Sequence, residues 1–185
     1  MNCKLWMKRL RTIVLGPREV GKTTFVTTMN ERKVRNVPPT IGVDHVAICC
    51  RNTHFMCWDT SGDPKFKNVV QMFMNCSVFL YIFDVTRKET LDQALFLYDK
   101  VVENVSNSAV VHFLIGNKTD LTYDPVYIQN RTREFPELNY FGVSATCVKD
   151  TVALWHMIEN GTVHIQQKSV FQVEQQHSRE CCGIQ

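Results

Sequence analysis

No run of apolar residues in this chain of 185 approaches the roughly 18 to 20 that a helix needs to span a bilayer. The first residues also lack the apolar core of a secretory signal. Both absences lead us to expect a chain that stays in the cytosol. None of the eight cysteines is spaced C-x-x-C, so structural disulfides and a zinc site are not expected, and Cys3, Cys49, Cys50, Cys57, Cys76 and Cys147 read as small buried hydrophobes. Strong charge of either sign is missing too, the formal net charge being +3. The basic cluster Lys4, Lys8, Arg9 and Arg11 reads as a solvated strand end, and no nucleic-acid partner is expected. There are no internal repeats and no linker before the tail. With 44% hydrophobic and 21% charged residues the composition is that of an ordinary globular protein. The expected organisation is one domain over residues 1–162 and an extended, glutamine-rich tail over 163–185.

Three runs, "TIVLG" (12–16), "VFLYIFDV" (78–85) and "VVHFLIGN" (110–117), are continuously apolar, as strands buried on both faces of a parallel sheet are. Between the last two, Leu91, Leu95, Tyr98, Val102 and Val105 recur at helical spacing, with Thr90 and Gln93 as a capping box. The unit is a strand, a crossover helix and a parallel strand. "GVDHVAICCRNTHFMCWD" (42–59) reads as two antiparallel strands turning near Arg51, Asn52 and Thr53. "NYFGVSA" (139–145) reads as a last strand, and "DTVALWHMIEN" (150–160) as a last helix stopped by Gly161. The expected fold is α/β, with about six mostly parallel strands and helices on both faces.

"GPREVGKTT" (16–24) follows a strand and opens a helix. A phosphate loop needs glycine where backbone approaches the ligand, lysine to reach the outer phosphates and a hydroxyl for magnesium. Gly16, Gly21, Lys22 and Thr23 answer to these needs, and the loop through Glu19, Val20 and Thr24 is expected to line the phosphates. In "WDTSGD", Asp59 closes a strand where a carboxylate can hold the magnesium shell, and the Gly62 N–H can sense a terminal phosphate. "NKTD" ends the 110–117 strand; Asp120 can accept both N–H donors of a guanine edge, while Asn117 and Lys118 brace the pocket. "SAT" (Ser144, Ala145, Thr146) falls where a backbone N–H can meet the guanine oxygen. A loop's ordinary liking for Asn, Asp, Gly and Ser explains any one of these, but not all four in order at strand ends.

That order resembles the Ras-superfamily small GTPases over residues 8 to about 160. "TIGVD" (40–44), "WDT" (58–60) and the terminal cysteine pair resemble the Rab family, while "GKTTFV" (21–26), the "KF" at 65 and 66 and "LNYFGVSA" (138–145) resemble Ran, which ends in an acidic tail without such cysteines. The resemblance implies GTP or GDP as ligand and Mg2+ held by Thr23, Thr40 and Asp59. It implies attack of water on the γ-phosphate, with Lys22 neutralising charge. It also implies effectors meeting Trp58, Phe73 and His45, an exchange factor and an activating protein. His45 stands where the family usually has Phe.

The departures bear on catalysis. Arg18 fills a position normally small, and either obstructs the γ-phosphate or acts as a built-in arginine finger. Glu19 sets a carboxylate beside a polyanion, so nucleotide release is expected to be fast. Asp63 stands where the resemblance expects the glutamine that orients water, and Pro64 removes a backbone donor, so hydrolysis is expected to be slow. No Phe, Tyr or Trp occurs from Val26 to His54 to stack on the base; Arg32, Lys33 and Arg35 are there instead. In "CCGIQ", Cys181 and Cys182 read as a doubly prenylated pair, Cys182 as the start of a C-a-a-X box, or both as idle thiols. Either lipid reading requires prenylation machinery and leaves the chain on the cytosolic face of a membrane. Without a polybasic patch nearby, two lipids fit stable anchoring better than one. The leading expectation is a Rab-like switch in membrane traffic; the alternatives are a pseudo-GTPase binding module and a Ran-like carrier of nuclear-transport state.

Overall fold

The structure, a computed structural model, describes residues 8–62, 75–105 and 110–163. The continuously apolar runs form the centre of one sheet: β1 (Lys8–Leu15), β4 (Val78–Asp84) and β5 (Val111–Asn117) lie side by side and parallel. Every residue of β4 is buried. A strand covered on both faces has no polar side to show, hence its unbroken apolar sequence. β2 (Val43–Cys50) and β3 (Thr53–Thr60) form an antiparallel pair around Arg51 and Asn52, and β6 (Asn139–Val143) closes the far edge. The order is β2-β3-β1-β4-β5-β6, parallel apart from the first pair. β1 begins at Lys8, ahead of the expected Thr12. Its first half alternates exposed Arg9 and Arg11 with buried Leu10 and pairs with β3, so apolar content alone undershoots it.

Among the described residues four helices cover the sheet: α1 (Lys22–Glu31), α2 (Lys88–Asn104), α3 (Pro125–Thr132) and α4 (Val148–Gly161). α1 and α4 share one face, where Phe25, Met29, Leu154, Trp155 and Ile158 pack on Ile48, Phe55 and Ile115. Trp155 stacks on Phe25 at 5.4 Å and meets Phe55 edge-on at 5.2 Å. α2 and α3 cover the other face through Leu91, Leu95, Tyr98 and Ile128 on Ile13, Phe79 and Leu114. Burying each of these large side chains is worth about 1.5–3 kcal/mol against leaving it in water. No helix among the described residues is long and apolar enough to cross a membrane.

Several local expectations are corrected. Thr90 and Gln93 form no capping box: Arg87 is the N-cap without a side-chain bond, and the Thr90 hydroxyl donates to the carbonyls of Asp84 and Arg87. Val102 faces solvent, because helical spacing brings it round past the edge of the α2 stripe. Gly161 does not stop α4 but ends it as a helical residue, and a Cβ there would lie 2.8 Å from the Phe113 ring. Cys49 is exposed on β2, whereas Cys50, Cys57 and Cys76 are buried as expected. α3 was not anticipated.

Candidate functional site

The loop after β1 is shaped by what touches it. Gly16 has φ 145, and a Cβ there would run into the Ile82 carbonyl, so only glycine lets the chain turn off the sheet this closely. Gly21, the N-cap of α1, has φ 91, and any side chain would strike the Asn117 amide. The loop after β1 and the end of β5 therefore touch. Glu19 holds a left-handed conformation, φ 64, that glycine usually takes.

Lys22, the first residue of α1, is 5% exposed and donates to the carbonyls of Gly16 at 3.0 Å and Pro17 at 2.6 Å. Burial pushes its pKa down to about 8, against the pull of Asp59. Gly62 faces it: a Cβ there would lie 2.5 Å from the Lys22 ammonium.

Three oxygen groups converge one residue further on. Thr23 Oγ1 lies 2.6 Å from Thr40 Oγ1 and donates to Asp59 Oδ2 at 2.5 Å, while Thr40 Oγ1 donates to the same oxygen at 3.1 Å. All three groups are hard oxygen donors, the kind that magnesium takes. Asp59 is 1% exposed, and its Oδ1 has no hydrogen-bond partner. Burial raises its pKa, against the hydroxyl of Thr23, the charge of Lys22 and the hydroxyl of Thr40. A buried carboxylate with an orphaned oxygen fits a cation. Thr23, Thr40 and Asp59 would hold it, and magnesium there would neutralise phosphate charge.

On the other side, Asn117 braces two loops: its Nδ2 donates to the Val20 carbonyl at 2.7 Å, and its Oδ1 accepts from the Ala145 N–H at 2.9 Å. Lys118, φ 69, reaches Asp84 at 2.6 Å, and the turn closes from the Leu121 N–H to the Lys118 carbonyl, leaving Asp120 exposed. Ser144 and Thr146 share a hydroxyl contact of 2.9 Å. A cavity of about 360 Å³ opens between the phosphate loop, Arg18 to Thr24, and the segment Val37 to Ile41. That segment offers Val37, Pro38 and Pro39, apolar but without an aromatic ring to stack on a base.

The residues expected at the phosphates, the cation and the base edge thus gather at the carboxyl ends of the strands. Thr60 and Ser61, which also line the cavity, were not singled out from sequence. Nor was Asp84, although a carboxylate ending an apolar strand was visible in "VFLYIFDV". His45 and Trp58, paired across β2 and β3, meet edge-on at 5.2 Å. Asp63, Pro64, Phe73, Cys181 and Cys182 lie outside the described residues.

The Ras family profile matches residues 11–160. Among curated proteins the chain is similar to Ras-related protein Rab-7B of Dictyostelium discoideum, 27% identical over 61% of this chain and 59% of that one. It is similar to Ras-related protein Rab-17 of Mus musculus, 27% identical over 69% and 62%. A third relative is Ras-related protein RABC2a of Arabidopsis thaliana, 28% identical over 60% and 55%. The chain thus spans somewhat over half the length of the curated relatives it matches. With the six-stranded sheet, the glycine-framed loop and a profile covering nearly the whole described region, the chain belongs to the Ras family and is Rab-like.

Proposed function

We propose that the protein is a guanine-nucleotide switch of the Rab type, acting in membrane traffic from a lipidated tail and hydrolysing GTP slowly. The observation that carries the reading is the convergence of Thr23, Thr40 and Asp59 beside the buried Lys22 ammonium. A magnesium-bound phosphate chain would give Asp59 a cation and Lys22 an anion to face. Asn117, Lys118 and Ala145 set the far end of the pocket, where Asp120 takes the guanine edge. Lys22 would offset charge on the γ-phosphate as water attacks it, magnesium held by Thr23, Thr40 and Asp59 would supply further positive charge there, and Asp63 in place of glutamine would leave that water poorly oriented. His45, Trp58, Phe73 and the exposed Ile41 offer an effector surface. Prenyl groups on Cys181 and Cys182 anchor the chain to a membrane; their mass in cells would exclude a Ran-like transport role.

Base selectivity tests the reading. Guanosine diphosphate should bind in magnesium and adenosine diphosphate should not, and Asp120→Ala should weaken the former about a hundredfold. Equal binding of both nucleotides, or of neither, would refute it.

A second reading, a pseudo-GTPase that binds without turnover, is favoured by Arg18 and Glu19 in the cavity wall. The variant Arg18→Gly bears on both: slower hydrolysis would make Arg18 a built-in arginine finger, and faster hydrolysis would make it an obstruction.

A further inference from the structure

Asp84, at the end of β4, is a 2%-exposed carboxylate with four donors. Its Oδ1 accepts from the Thr86 N–H at 3.0 Å and the Thr86 hydroxyl at 2.7 Å. Its Oδ2 accepts from Lys118 Nζ at 2.6 Å and Arg87 Nε at 3.2 Å. Arg87 also uses a second nitrogen: Nη2 donates to the Arg18 carbonyl at 3.3 Å, a contact spanning 69 residues of sequence. One carboxylate therefore ties the base loop, through Lys118, to the phosphate loop, through Arg87.

The orientation of that last contact has a chemical consequence. Arg18 and Glu19 line two cavities, the nucleotide cavity and one of about 440 Å³ beside α2 that Arg87 also lines. The Arg18 carbonyl points to Arg87, on the α2 side. Across a trans peptide the following N–H points the opposite way, so the Glu19 N–H points away from Arg87 and α2. Glu19 lacks glycine's freedom to hold its left-handed backbone unaided, which makes an outside brace on this peptide matter more.

We infer that Asp84 and Arg87 are a positioning pair for nucleotide retention, Arg87 aiming the Glu19 N–H at the outer phosphate and Asp84 fixing both Arg87 and Lys118. The inference rests on the guanine-nucleotide reading above. Arg87 touches no ligand in this scheme and acts through the peptide it braces.

The pair is tested with fluorescent guanosine diphosphate release and equilibrium competition by guanosine mono- and diphosphate, in magnesium. Arg87→Ala should speed diphosphate release about tenfold, the worth of one charge-assisted hydrogen bond. Monophosphate affinity should stay within about twofold, because the aimed N–H serves only the outer phosphate. Asp84→Asn should weaken both ligands by releasing Lys118 as well. Arg87→Lys, which keeps the charge but lacks the fork to reach both acceptors, should lose diphosphate selectively as Arg87→Ala does, and serves if that variant folds poorly. Release of diphosphate at the wild-type rate from both Arg87 variants, or equal loss of mono- and diphosphate, would overturn the pair while leaving the guanine reading intact. A wild type that retains no guanosine diphosphate would overturn both.

Discussion

Glu19 is the residue where the phosphate loop departs furthest from what its backbone asks. Its φ of 64 costs a side-chain-bearing residue about 1–2 kcal/mol, and it brings an acidic residue to the wall of the candidate phosphate cavity. Both effects oppose nucleotide retention. Glu19→Gly should slow guanosine diphosphate release about five- to tenfold, measured by stopped-flow displacement, with little change in melting temperature because glycine's greater unfolded-state freedom offsets the relieved strain. Release unchanged in Glu19→Gly would mean that neither charge nor strain limits retention. Much of the site was legible at this scale, since Gly16, Lys22, Thr23, Asp59 and Asn117 each carry a chemistry tied to a fixed spacing. Arg87 was not, because its meaning is a bond to the carbonyl of a residue 69 positions away, and no local pattern encodes that.

His112 and Gly161 show how elements are held against one another. His112 lies on β5 beneath α2, stacked on Phe79 at 5.2 Å, with its Nδ1 3.1 Å from the Tyr81 hydroxyl. Burial pushes its pKa down to about 4, against Glu137. Between pH 6.5 and 4 the unfolded chain therefore binds a proton that the folded chain does not. This part of the stability is complete above pH 6.5 and is lost as pH falls through that window, by at most about 1.4 kcal/mol per pH unit and less where water screens the ring. His112→Phe should shrink the difference between urea midpoints at pH 7 and pH 5; an unchanged difference would place the acid sensitivity elsewhere. Gly161→Ala should cost about 1–3 kcal/mol and lower the melting temperature by several degrees, since the new methyl meets the buried Phe113 ring. The buried strands and α2 were legible because their apolar periods are long and pure. α3 escaped because only Ile128 of its eight residues is buried. Its signal lay in the cap, Asp124 accepting from the Tyr127 N–H with Pro125 behind it. Gly161 was misread because a glycine near a helix end suggests a stop, and only the packing of α4 on β5 reveals a steric reason.

At the scale of the whole molecule the sheet collects residues from 16 to 146 at the carboxyl ends of its parallel strands. β1 delivers the phosphate loop, β3 delivers Asp59, and β5 and β6 deliver Asn117 and Ala145; Asp59 and Asn117 each bond to the segment from Val20 to Thr23. The order of motifs made this gathering legible, because parallel strands present their carboxyl ends together. Magnesium should bind it into one unit. Chelation with EDTA should speed guanosine diphosphate release more than about tenfold, as Asp59 and the phosphates lose their shared counter-charge; release indifferent to chelation would remove Thr23, Thr40 and Asp59 from the binding account. The central claim, a switch that holds guanine nucleotide and turns it over slowly, is tested most directly by single-turnover phosphate release from GTP-loaded protein in magnesium, beside Asp63→Gln. The account predicts release that is slow but above the uncatalysed background, and at least about tenfold faster in Asp63→Gln. Failure to retain GTP, or a wild type at least as fast as Asp63→Gln, would contradict it.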